Sequence, residues 1–65
     1  MDMATDRIRR IIRDELTDRQ REVLVAYYFQ GKRIPQISEE LGIHKSSVSR
    51  TLRRAEEILK NYMKY

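Results

Sequence analysis

The sequence predicts an all-α fold of four helices that ends in one long helix. Three observations point there. Apolar residues recur at helical spacing along the whole chain and nowhere alternate as in a strand. Helix breakers are sparse, with two glycines and one proline in 65 residues. Capping signals bracket the periodic stretches, with no internal repeat or low-complexity tract between them.

The first helix is expected over 4–14. Ile8, Ile11, Ile12 and Leu16 form one stripe, and Arg7, Arg9, Arg10 and Arg13 lie off it. Asp2, Asp6, Asp14 and Glu15 neutralise these cations, and the helix itself carries no Trp or Phe to anchor it in a lipid surface. Packing onto the rest of the domain follows. The second helix, within 17–30, starts at Thr17. Gln20 stands at capping-box spacing, and Asp18 sits where the helix dipole favours an acid. The run "VLVAYYF" (23–29) is apolar nearly all round, which predicts the most buried helix, with Tyr27, Tyr28 and Phe29 in the core. Gly31 suits the C-terminal cap.

A short third helix is expected over 35–41, with Pro35 at its first position. Ile37 and Leu41 share a face, Gly42 breaks the helix, and Ile43 turns inward. The fourth helix is expected over 45–62. Val48, Leu52, Ala55, Leu59 and Tyr62 make a single seam. At about 100° per residue, Ser46, Ser49, Arg50 and Arg53 fall on the other side, flanked by Lys45 and Arg54. Tyr62 and Tyr65, with Ile58 and Leu59, either pack internally or form a seam between two copies.

At 65 residues the chain is one domain, 1–65, divided into an N-terminal helix (1–15), a second helix (17–30) and a helix pair (34–62). A domain of this size buries only about 60% of its unfolded surface. There is no cysteine, hence no disulfide and no Cys-type zinc site, and His44 alone cannot hold a metal. No cofactor is implied. The N-terminus lacks an apolar leader, and 23–29 falls far short of the roughly 20 residues of a membrane span. A cytoplasmic protein, with no membrane partner, is expected.

The net charge is +4. Residues 1–16 carry four cations and four acids, and 17–43 again four of each. Residues 44–65 carry six cations and two acids, so the whole excess lies in the last third. Within "LGIHKSSVSRTLRRA" (41–55) there is no acid at all. Such asymmetry fits a polyanion partner, nucleic acid being the commonest. A short helix, a glycine turn and a longer helix with a polar N-terminal half form a helix-turn-helix. In that motif the second helix enters the major groove, where Arg pairs with guanine and Ser serves several bases. An acid there would repel phosphate.

The stretch "LTDRQREVLVAYYFQGKRIPQISEELGIHKSSVSRTLRRAEEIL" (16–59) resembles the fourth region of bacterial sigma factors, and is also similar to the DNA-binding domain of LuxR-type regulators. The continuation "LRRAEEIL" leans toward sigma. The resemblance implies double-stranded DNA as partner and a nucleoid-associated location. It implies base-facing positions at His44, Lys45, Ser46, Ser49, Arg50 and Arg53, and phosphate contacts from Thr17, Arg19, Lys32, Arg33 and Arg54. It further implies contacts with RNA polymerase or an activator.

Three departures stand out. Ser38 occupies a position usually held by Ala, so its hydroxyl needs a partner. His44 replaces the usual Ser or Thr cap, so the last helix starts either at Lys45 or later, with Ser46 as cap. The chain also has no room for the regions with which sigma factors grip polymerase and melt DNA. The expected role is a stand-alone transcriptional regulator, expected to pair as a homodimer, or a promoter-recognition domain of a larger factor. An adaptor that binds polymerase or another regulator is the alternative. An enzyme is not expected, because no nucleophile–base pair with an orienting third group is present.

Overall fold

A computed structural model of the protein describes the backbone of residues 3–63 and the side chains of 6–62. Tyr65 lies outside the described residues. Among the described residues four helices follow one another: α1 (Met3–Glu15), α2 (Asp18–Tyr28), α3 (Ile34–Leu41) and α4 (Lys45–Met63). No strand occurs among the described residues.

The long seam of α4 organises the rest, because α1, α2 and α3 all pack on it. At 1.5 Å per residue its 19 residues span about 28 Å. That is enough to account for most of the molecule's 34 Å longest dimension. Val48 and Ala55 on the seam are fully buried and Leu52 nearly so. They meet Val23 and Leu24 of α2 and Ile37 of α3 in one cluster, which Ile12 and Leu16 close from the α1 side. Ile43 and Leu41 pack against that cluster from the turn, as their spacing predicts.

The helix boundaries differ from expectation by a residue or so at most ends. The third helix begins one residue earlier, at Ile34 with Arg33 as N-cap, so Pro35 stands at its second position. Nothing is lost, because the first turn of a helix has no intrahelical acceptor for its N–H groups. The second helix ends at Tyr28 with Phe29 as C-cap, and Gly31 takes its positive φ of 67° beyond the cap.

The second helix also departs in burial. Val23, Leu24 and Ala26 are buried, but Tyr27, Tyr28 and Phe29 are 38%, 55% and 64% exposed. A domain of three short helices on one long helix covers only the side of α2 that faces α4. The apolar run continues round the helix, but the protein around it does not.

α1 is tied down by polar contacts that sequence spacing did not reveal. Arg21 of α2 donates from Nε to the Ile12 carbonyl (3.1 Å) and from Nη2 to the carbonyls of Arg13 (3.0 Å) and Leu16 (3.4 Å). It thereby satisfies carbonyls that the end of α1 leaves without helical partners. At the far end of α4 the Tyr62 hydroxyl donates to Glu15 (2.5 Å), and Arg7 donates to the Tyr62 carbonyl (3.3 Å).

Candidate nucleic-acid interface

The turn between α3 and α4 is closed by local bonds. Gly42, at φ 67°, is the left-handed C-cap of α3, a conformation that costs a side chain-bearing residue about 1–2 kcal/mol. The next N–H, of Ile43, reaches the Ser38 carbonyl at 3.1 Å. The half-buried Ser38 hydroxyl donates to the Ile43 carbonyl. Serine in place of alanine therefore laces the turn rather than burying an orphan group.

His44 caps α4. Its Nδ1 accepts the Ser46 N–H at 3.1 Å and lies 2.8 Å from the Ser46 hydroxyl, and its carbonyl receives the N–H groups of Ser47 and Val48. The helix begins at Lys45, so the later start with Ser46 as cap is not the one adopted. Accepting at Nδ1 leaves Nε2 as the proton-bearing nitrogen of the neutral ring.

From this start α4 presents His44, Lys45, Ser46, Arg50 and Arg53 to solvent, with Ser49 half-buried among them. Among the described residues Arg53 makes no ion pair with Glu57, although they stand four apart.

A second stripe of the same helix, Ser47, Arg50, Thr51 and Arg54, faces the N-terminus of α2. There Thr17, Arg19 and Gln20 complete an open concavity of about 270 Å³. Three guanidinium groups, three hydroxyls and one amide line it, with no carboxylate. The capping box shapes its α2 wall. The Gln20 N–H donates to Thr17 Oγ1 (3.2 Å), and the Thr17 N–H donates to Gln20 Oε1 (3.0 Å). Arg19 is steadied by Glu22 at 3.1 Å, while Asp18 is turned aside to Arg21. The positive end of the α2 dipole thus adds to the charge of Arg19, Arg50 and Arg54.

Thr17, Arg19, Arg50 and Arg54 are therefore brought together. Ser47, Thr51 and Gln20 join them, although the sequence reading did not single them out as contacts. The signal was legible in part: 47, 50, 51 and 54 have i, i+3, i+4, i+7 spacing. That this stripe meets the start of α2 required the packing.

Lys32 and Arg33 lie elsewhere, in the link between α2 and α3. Arg33 is exposed at the N-cap of α3. Lys32 is engaged by Glu40 at 2.6 Å. The Lys32 hydrogen bond holds the Glu40 carboxyl below its ordinary range. No group of three or more metal-ligating side chains occurs among the described residues. No helix among them is long and apolar enough to cross a membrane.

A family model described as Sigma-70, region 4, matches residues 6–59. Neither the curated proteins nor the solved structures contain a significant match to the chain.

Proposed function

The chain belongs to the sigma-70 region 4 family, and on that footing we propose that it binds double-stranded DNA as a promoter-recognition or regulatory module of transcription. One observation carries the reading. The carboxylate-free concavity between α2 and α4 adjoins the exposed start of α4. A backbone phosphate seated in the concavity would meet Arg19, Arg54 and the hydroxyls of Thr17, Ser47 and Thr51. With the backbone held there, the first turns of α4 lie along the major groove.

In this arrangement His44, Lys45, Ser46, Ser49, Arg50 and Arg53 face base edges. Thr17, Arg19, Arg33 and Arg54 hold phosphates, and Lys32 joins them once a phosphate competes with Glu40. Arg50 lines the concavity and also borders the base-facing surface, so it links the two sets. The protein acts by binding rather than by catalysis, in the cytoplasm and on the nucleoid. RNA polymerase is a second partner. A homodimer would double the contact area of so small a module and match a two-fold repeated site.

Binding of a duplex obtained by site selection, measured across a salt series, tests this. Arg50→Ala should lower preference for the selected site by about 1–3 kcal/mol. Arg33→Ala should weaken all duplexes about equally and reduce the salt slope by about one. An Arg50→Ala protein with undiminished site preference would remove Arg50 from the base-contact set. Wild-type binding with neither sequence nor salt dependence would turn the reading to a polymerase-binding adaptor, in which changes on α1 matter more than changes at 45–53.

A further inference from the structure

At the opposite end of α2 from the basic concavity lies an open apolar groove of about 560 Å³. Ile8 of α1, Tyr28 and Phe29 at the end of α2, and Leu59 of α4 line it, with Glu56 and Lys60 on its α4 side. Phe29 at 64% exposure and Tyr28 at 55% are the two most exposed large apolar side chains described. Large apolar groups clustered beside a groove mark a contact surface rather than scattered exposure.

We propose that this groove is the contact between two copies of the chain, related by a two-fold axis with the C-terminal halves of α4 antiparallel. The patch is complementary to itself. It carries a projecting ring, Phe29, next to a hollow, and a two-fold axis seats each copy's ring in the hollow of the other. Its charges are complementary in the same sense. Glu56 and Lys60 are four residues apart and share one face of α4. Antiparallel pairing reverses their order, so Glu56 of each copy stands opposite Lys60 of the other. Parallel pairing would set like charges opposite each other. Tyr28 donates a hydrogen bond to Glu56, which orients that carboxylate at the groove.

The area of the patch sets the size class of the interface. Aromatic side chains bury on the order of 150–250 Å² each. Two copies, each with two half-exposed rings, fall below the roughly 1,200–2,000 Å² of stable complexes. The pairing therefore belongs with the small, transient interfaces, in which dimer and monomer exchange. This gives the proposed homodimer a surface, but the surface stands independently of the DNA reading.

Sedimentation of the 65-residue chain over a concentration series, up to about millimolar, tests it. The wild-type mass should rise toward that of two chains. Phe29→Glu should stay monomeric with an unchanged helical spectrum and unchanged binding to a half-site duplex. Glu56→Lys and Lys60→Glu should each be monomeric alone, because each sets like charges across the axis. An equimolar mixture of these two variants should dimerise, because all four positions are then complementary. A wild-type chain that stays monomeric throughout overturns the proposal and leaves the groove to a different protein. So does a Phe29→Glu chain that still associates, or a mixture that stays monomeric when each variant is folded. Half-site binding is read separately, so loss of the dimer does not count against DNA binding.

Discussion

Arg21 shows how much one side chain contributes when its partners are backbone. It bridges from α2 to two carbonyls in the last turn of α1 and to that of Leu16 just beyond it, and also pairs with Asp18. Charge-assisted bonds of this kind exceed neutral ones, although partial exposure weakens them here. Arg21→Ala should lower stability by about 1–2 kcal/mol in urea unfolding, and Lys in its place should recover only part, because an ammonium cannot span the same carbonyls. A loss no larger than that of Arg13→Ala would show that the bridge is idle. His44 is a second case. Its ring does the work of a Ser or Thr cap, and the residue type alone left open whether it caps or meets DNA. The cap is now explicit through Nδ1, and Nε2 is left for a contact.

At the level of elements, the α3–α4 turn depends on one backbone conformation. Gly42 has open space where a Cβ would stand, so a substitution there meets no clash and costs only the left-handed φ of 67°. Gly42→Ala should therefore destabilise by about 1–2 kcal/mol without disturbing the neighbouring side chains. A melting temperature equal to wild type would contradict that account. The concavity between α2 and α4 is likewise a property of two elements. Arg19 lies on one wall and Arg54 on the other. If both hold the same phosphate, Arg19→Ala and Arg54→Ala should each flatten the salt slope by about one. The double variant should then lose less than the sum of the two, because the contact with a single phosphate can be lost only once. Additive losses would assign them to separate phosphates.

At the scale of the whole molecule, the core is small and shared, so single contacts reach everywhere. A 65-residue domain holds about 3–10 kcal/mol of stability in all. Leu24 is 1% exposed and sits in the cluster that joins the helices. Leu24→Ala should cost about 2–5 kcal/mol and leave much of the chain unfolded at 37 °C, as read by helical signal. Tyr28 and Tyr62 both have raised pKa values, first because each donates to a carboxylate, Glu56 and Glu15 respectively. Their stabilising effect is whole below the ordinary tyrosine range near 10 and is lost as pH rises through the raised values. Tyr28→Phe with Tyr62→Phe should flatten the alkaline limb of stability against pH, and an unchanged limb would exclude these contacts. The sequence by itself determined four helices, the glycine turn, the α4 seam through Val48, Leu52 and Ala55, though not its continuation to the exposed Tyr62, and the acid-free stretch 41–55, because apolar period, capping chemistry and charge are local properties of the chain. It did not determine that Ser47, Arg50, Thr51 and Arg54 face the start of α2, that Arg21 holds the end of α1, or that Tyr28 and Phe29 stand outside the core. Those depend on which side of each helix has a neighbour, and the packing of all four helices together decides that.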